Sequence, residues 1–400
     1  MARRRDPGGG AGPRGRHHPR RGRDRRQAGD EEERPRDRDV PPPDPQPAGR
    51  AGDGGAGAAD DPPAGAGPRP DRRPLSVLVL GRRDLERLLP PADVIGALES
   101  AFRLAAEGRA RTPARTAVHT ADGLLLTMPA ALDTDDGGLG AKLVTVHPGN
   151  RARGRPTLHA SYVLMDAGTG EPLALLEGTY LTGLRTGATS AVAARSLARA
   201  DARRLVCFGA GVQAAFQLSC LAVVRPPERV AVIGRDPARA REFARAMGKR
   251  LGVAVDVAAD ARAAVCEADL VTCATTSATP VVFGADVAPG AHVDLVGAFR
   301  PTDREADSAL IQRARVVVDT YEGALAEAGD VLIPMRDGAI DRSHLAAELA
   351  EVVTGRRPGR TGAAEVTVFK SVGWALEDLA TARLAYNRAR AGGLGVEVTL

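Results

Sequence analysis

The stretch Arg204-Leu205-Val206-Cys207-Phe208-Gly209-Ala210-Gly211-Val212-Gln213-Ala214 decides how the chain is read. A short apolar run, the pattern of a buried strand, leads directly into a Gly-x-Gly-x-x-Ala turn that opens a helix. Gly209 allows the tight turn. Gly211 lets the backbone approach a pyrophosphate, and the small Ala214 lets the helix pack close to the strand. Phosphates would sit at the helix N-terminus, by Val212, Gln213 and Ala214, where amide groups and the helix dipole favour anions. Alone such a turn is a weak sign. Here strand, turn, helix and a second strand at 229–233 are all in place.

Downstream the pattern continues as helix 237–251, strand 253–257, helix 260–267, strand 269–274 and strand 292–296. Strands alternating with helices predict an α/β fold with a Rossmann-type, doubly wound parallel sheet over 201–330. Upstream, Leu75–Leu80 reads as a strand and Pro91 opens a helix to about Gly108. Strands at 115–128, 140–147, 157–165 and 172–178 precede an Ala-rich helix from Thr182 to Ala200. These predict an α+β domain over 74–200 with a largely antiparallel sheet. The strand Val366–Phe369 and the helix from about Gly373 to Arg390 are expected to return to that domain and complete it over 366–392. Residues 331–365 are expected to connect.

The chain has 400 residues, 43% hydrophobic but only 3% aromatic, so Ala, Val and Leu must fill the core. Residues 1–73 hold 17 Arg against 13 Asp and Glu and almost no large apolar residue. That composition predicts a disordered extension, dispensable or an electrostatic tether. It also carries +4 of the formal +5 charge, so the remainder is nearly neutral and excludes a nucleic-acid footprint. No apolar stretch is long enough for a membrane helix, and there is no secretory signal pattern. The four cysteines lack metal or redox spacing. A cytoplasmic enzyme without a metal, a membrane or a nucleic-acid partner is expected.

Arg235 and Gly234 stand at the tip of the second strand, where an NAD-specific site would carry an acid. A small residue and a guanidinium suit a 2′-phosphate, so NADP is preferred; Asp236 keeps NAD open. Thr275 and Thr276, after the strand at 269–274, are positioned to border the cofactor. Only three lysines exist, Lys142, Lys249 and Lys370. Lys142 is the single charge in Leu139–Val146, and a lysine in such a strand is costly unless paired or functional. Arg185, in Leu184-Arg185-Thr186-Gly187-Ala188-Thr189-Ser190, and Arg115, before the strand that ends in Met128-Pro129, could grip a carboxylate in a two-pronged way. With the turn at 209–214 they describe a site for an anionic amino or imino acid.

Taken in order, Pro113-Ala114-Arg115, Met128-Pro129, Gly140-Ala141-Lys142, His147-Pro148-Gly149-Asn150, Leu181–Ser190, Gly209–Ala214, Val296–Pro301 and Val366–Gly373 with Glu377-Asp378 resemble the ornithine cyclodeaminase/mu-crystallin family over about 75–390. The resemblance implies an open-barrel domain that binds substrate and forms a homodimer, beside a Rossmann domain for the nicotinamide cofactor. It implies that Arg115 and Arg185 hold a substrate carboxylate and that Lys142 lies near the reacting amine or imine. Met128 and Phe299 line the pocket, and Thr186 and Ser371 join the cofactor side. One departure matters. Cyclodeaminases carry an Asp where this chain has Phe299, and Phe can neither accept a proton nor pair with an ammonium. Asp303 and Glu305 are near in sequence, but sequence alone does not place them in the site. The Gly297-Ala298-Phe299-Arg300-Pro301 pattern resembles the imine-reducing branch. The expected reaction is NAD(P)H-dependent reduction of a cyclic ketimine such as Δ1-pyrroline-2-carboxylate or Δ1-piperideine-2-carboxylate to proline or pipecolate. The alternatives are an amino-acid cyclodeaminase that releases ammonia, an alanine or opine dehydrogenase, and a non-catalytic binding protein.

Overall fold

A computed structural model describes residues 75–134 and 138–400. The Arg-rich extension expected over 1–73 lies outside the described residues.

The first part of the chain runs β1 (Ser76–Leu80), α1 (Arg82–Leu88), α2 (Pro91–Ala106), β2 (Ala110–Arg111), β3 (Thr116–His119), β4 (Leu124–Leu132), β5 (Gly138–Val146), β6 (Leu158–Met165), β7 (Pro172–Glu177) and α3 (Gly178–Leu197). The segment expected as one strand at 115–128 is a hairpin, β3 and β4, closed by a turn in which Thr120 and Gly123 bond each other. Helix α3 begins four residues before Thr182, because the Glu177 carboxylate caps it, accepting from the amides of Thr179 and Tyr180 at 2.8 Å each.

The second part runs β8 (Arg204–Phe208), α4 (Val212–Val224), β9 (Arg229–Ile233), α5 (Pro237–Leu251), β10 (Val255–Val257), α6 (Ala261–Cys266), β11 (Leu270–Cys273), β12 (His292–Leu295), α7 (Ser308–Arg313), β13 (Arg315–Val318), α8 (Tyr321–Glu327), α9 (Gly329–Arg336), β14 (Leu345–Glu348), α10 (Leu349–Val353), β15 (Thr367–Lys370), α11 (Ala375–Gly392) and β16 (Val396–Thr399). Two eight-stranded sheets result. One has the order β16-β1-β7-β6-β5-β4-β2, with β3 also on β4, and is antiparallel except at β1–β7. The other, β10-β9-β8-β11-β12-β15-β13-β14, is parallel throughout.

Two expectations are corrected. The strand near 366–369 does not join the first sheet. As β15 it lies inside the parallel sheet, with Thr367 opposite His292 on β12 and opposite Arg315 on β13. All four of its residues are buried, as a central parallel strand covered on both faces requires. The chain returns only after it: α11 packs on α2, α3 and the antiparallel sheet, and β16 pairs with β1. The segment 331–365 is no mere connector either: β14 extends the parallel sheet beyond β13, and α10 packs on α2.

The scarcity of aromatics shows in the packing. Helices α3 and α4 approach so closely that a Cβ on Gly187 would lie 2.6 Å from the carbonyl oxygen of Phe216. This contact ties the helix carrying Arg185 to the helix that starts at the glycine turn. No helix among the described residues is long and apolar enough to cross a membrane. The expected consequence is a matched pair. Gly187→Ala lowers stability by about 1–3 kcal/mol, since backbone cannot yield cheaply. Gly96→Ala, exposed in α2 with open space at its Cβ, raises it by about 0.5–1 kcal/mol. Urea midpoints of the two variants test this.

Candidate active site

Three elements converge on one buried ion cluster. On β5, inward-facing Lys142 is flanked in register by Met128 on β4 and Tyr162 on β6. All three side chains are buried. Arg185 comes from the second turn of α3. Glu377 and Asp378 stand in the first turn of α11, where the helix dipole favours carboxylates. Asp378 Oδ2 accepts from Lys142 Nζ at 2.8 Å, and its Oδ1 accepts from Arg185 Nε at 3.0 Å. Arg185 Nη1 donates to Glu377 Oε2 at 2.5 Å. Gly373, at φ 89°, leaves room for that guanidinium: a Cβ there would fall 2.8 Å from Nη1.

Arg115 completes the group. Its Nε donates to Glu327 Oε1 at 2.7 Å, and its Nη1 to the carbonyl of Val372 at 3.3 Å. Asp319, at the end of β13, fixes that same loop: its Oδ2 accepts from Ser371 Oγ (3.0 Å), Val372 N (2.7 Å) and Gly373 N (2.8 Å). Arg115 and Lys142 each lie close enough to Arg185 to feel its charge, and Met128 stands beside Lys142 in register.

Burial, with Arg185 nearby, pushes the Lys142 ammonium down to about 8, against the pull of Asp378. Burial also pushes the Glu377 carboxyl up to about 7, reinforced by Asp319 and Asp378 and opposed by Arg185. Burial works against the charge on Arg185, but Asp378 and Glu377 outweigh it and hold that guanidinium firmly protonated.

The second half of the site lies at the C-terminal edge of the parallel sheet. From β8 the chain passes outward to β9 and β10, then returns on the other side to β11, so the sheet's switch point falls between β8 and β11. Ligands of such sheets bind in the crevice there. The residues fit a dinucleotide. Gly209 has φ 115°, and a Cβ on it would lie 2.6 Å from the carbonyl oxygen of Ala274, so the turn packs on the end of β11. Helix α4 starts at Gly211 with no side-chain cap, whereas Asp236, Asp260 and Asp307 cap α5, α6 and α7. The amides at the start of α4 thus face an anion-sized need that no side chain meets. Val212 is exposed, Gln213 Nε2 donates to the carbonyl of Gly183 at 3.3 Å, and Ala214 is buried beneath the turn.

The remaining candidates are placed as follows. Arg235 is exposed at the tip of β9, and one oxygen of Asp236, Oδ1, caps α5 by accepting from the amides of Ala238 and Arg239. Thr276 is exposed. The hydroxyls of Thr186, Thr275 and Ser371 donate to Thr182 O, Glu305 and Asp319 respectively. Phe299 is exposed on the loop after β12, with the Arg300 guanidinium 5.9 Å from its ring centre. Glu305 cannot stand in for the acid missing at Phe299: it is fully buried, and both its oxygens are occupied by loop donors. Asp303 accepts from its neighbour Thr302.

Sequence reasoning quoted Glu377-Asp378 only as a motif without assigning Asp378 a role, and it overlooked the counter-ions Asp319 and Glu327. For two of these three the signal was there. Val316-Val317-Val318-Asp319 and Ala375-Leu376-Glu377-Asp378-Leu379 are acids in apolar runs, the same anomaly that drew attention to Lys142.

An α/β fold with a glycine turn at the switch point of its parallel sheet and a buried cluster of charge on β5, α3 and α11 is thus on view. The ornithine cyclodeaminase/mu-crystallin family model matches residues 77–393, and the chain belongs to that family. Delta(1)-pyrroline-2-carboxylate reductase of Bacillus cereus is 38% identical over 325 residues, 80% of this chain and 99% of that protein. The structure of Thermococcus litoralis Delta(1)-pyrroline-2-carboxylate reductase in complex with NADH and L-proline is 42% identical with a TM-score of 0.78, covering 80% of this chain and 100% of that one. An archaeal alanine dehydrogenase dimer with bound NAD is 33% identical at a TM-score of 0.77, covering 82% and 100%.

Asp378 serves two buried cations at once. Asp378→Ala is expected to cost about 3–5 kcal/mol in a denaturant titration, because it strands Lys142 and leaves Arg185 with Glu377 alone.

Proposed function

We propose that this NAD(P)-dependent oxidoreductase reduces the C=N bond of a cyclic 2-imino carboxylate of the Δ1-pyrroline- or Δ1-piperideine-2-carboxylate type, giving L-proline or L-pipecolate. The observation that carries the reading is the cation cluster of Arg115, Lys142 and Arg185 on the side of the sheet where α3 links it to the cofactor turn. The match to a reductase solved with NADH and L-proline supports it. Phe299, in place of an acid, and the fully engaged Glu305 argue against cyclodeamination, which needs a base for the distal amine.

Bound NAD(P)H supplies the hydride to the imine carbon. The chain's own groups bind and orient. Arg115 and Arg185 draw the substrate carboxylate, the former exchanging its hold on Glu327 for the substrate. Lys142, as an ammonium, donates to the neutral imine nitrogen and passes it a proton as the hydride reaches the carbon, leaving the amine product and a neutral lysine. Asp378 keeps Lys142 charged and aimed. Met128 and Phe299 supply apolar walls for the ring.

Two finer readings follow. Arg235 at the tip of β9, with Asp236 occupied as a helix cap, favours a 2′-phosphate and hence NADPH, although the solved relatives carry NADH or NAD. The protein acts as a cytoplasmic homodimer: its cysteines are free thiols, and the outward face of the first sheet exposes Val118, Leu143 and Leu175. The dimeric alanine dehydrogenase neighbour supports this.

Lys142→Ala is expected to lower kcat/KM for the imine by about 10²–10⁴-fold. In the unaltered protein kcat/KM should fall as pH rises through about 8, because the ammonium is lost there. Full activity in the alanine variant, or a flat profile to pH 10, contradicts the assignment. Arg235→Ala should raise KM for NADPH by about tenfold or more and leave KM for NADH unchanged, as read in initial-rate assays with each cofactor.

A further inference from the structure

Glu305 lies on the loop between β12 and α7 and is fully buried. Its Oε1 accepts from the amide of Thr275 at 2.8 Å and from Thr275 Oγ1 at 2.7 Å. Its Oε2 accepts from the amides of Gly297 at 2.7 Å and Ala298 at 3.2 Å. Thr275 stands just beyond the end of β11, and Gly297 just beyond the end of β12. One carboxylate thus clasps the two loops that leave the C-terminal edge of the sheet beside the glycine turn.

A second tier holds the clasp. Asp330, on α9, accepts from the amides of Glu305 at 2.7 Å and Ala306 at 2.8 Å. Its other oxygen lies 2.8 Å from Lys370 Nζ, at the end of β15. Lys370 also donates to the carbonyl of Ala298 at 2.5 Å. Ala298 is therefore gripped by both its amide and its carbonyl, and it precedes Phe299. Lys370, one of only three lysines, has its place here and not among the groups that would touch substrate.

Two buried acids against one buried lysine make an expensive arrangement, and apolar side chains would serve stability at least as well. What such a densely bonded polar network gives is a single geometry. The loops it locks are the wall of the crevice at the sheet's switch point.

We propose that Glu305 is a positioning residue for cofactor binding: its carboxylate holds the 275–277 and 297–299 loops in the spacing that seats the nicotinamide end of the dinucleotide and sets Phe299 over the substrate. The inference rests on the cofactor lying across the β8–β11 crevice, but not on the identity of the imine.

The test uses the full-length protein and Glu305→Gln, which keeps size but turns an N–H donor toward one of the two loops. NADH and NADPH affinity, read by nicotinamide fluorescence without any imine, should weaken about tenfold or more. In turnover, KM for the cofactor should rise more than kcat falls. Asp294→Asn is the control. That acid is equally buried beside His292 but has no bond to either loop, so cofactor affinity should be unchanged whatever its effect on the urea midpoint. Unchanged affinity in Glu305→Gln, or an equal loss in both variants, overturns the proposal. If Glu305→Gln does not fold, hydrogen exchange in the cofactor-free native protein decides. The amides of Thr275, Gly297 and Ala298 should be protected like the sheet interior, and exchange at open-loop rates overturns the proposal. Because cofactor binding is the readout, a protein that binds NADH normally but reduces no imine would refute the proposed function and leave this inference standing.

Discussion

Asp378 accepts from Lys142 with one oxygen and from Arg185 with the other. Those three residues belong to the middle of a strand, the second turn of a helix, and a helix almost two hundred residues further along the chain. None of the three charges is tolerable alone, because an unpaired buried ion costs several kcal/mol. Packing α11 against α3 and β5 is therefore coupled to building the cation cluster. Glu377 adds a second acceptor for Arg185, and its raised pKa leaves it only partly ionised near neutral pH.

The same logic explains the path of the chain after the parallel sheet is nearly built. Strand β15 inserts between β12 and β13, and α11 then crosses back to the first domain. The loop joining them, 371–374, is pinned by Asp319 and gives Arg115 a carbonyl to bond. The parts built on the two sheets are thus linked twice: once through this loop, and once through the close contact of α3 with α4 at Gly187.

Much of this was legible in sequence. The parallel strands at 204–208 and 229–233 and the helix at 237–251 stand where apolar runs, glycines and capping acids put them. The lone charge in Leu139–Val146 identified Lys142 before any partner was known. Two kinds of feature were not legible. Strand order is a tertiary property, so a buried run followed by a helix at 366–390 could not say which sheet it joined. Ion pairing is equally non-local. The sequence separation between Lys142 and Asp378, or between Glu305 and Thr275, leaves no periodic trace, and acids such as Asp319 betray themselves only by sitting in apolar runs. The missing acid at Phe299 was visible, but that Glu305 cannot replace it follows only from the fold, in which both its oxygens are taken.

The central claim is net reduction of a cyclic imine by a cluster that binds carboxylate. It is tested most directly by stoichiometry. Incubating the full-length protein with Δ1-pyrroline-2-carboxylate and NADPH or NADH should consume one reduced nicotinamide for each L-proline formed and release no ammonia. Ammonia release from L-ornithine with no net change in cofactor, and no reduction of the imine, would contradict the account.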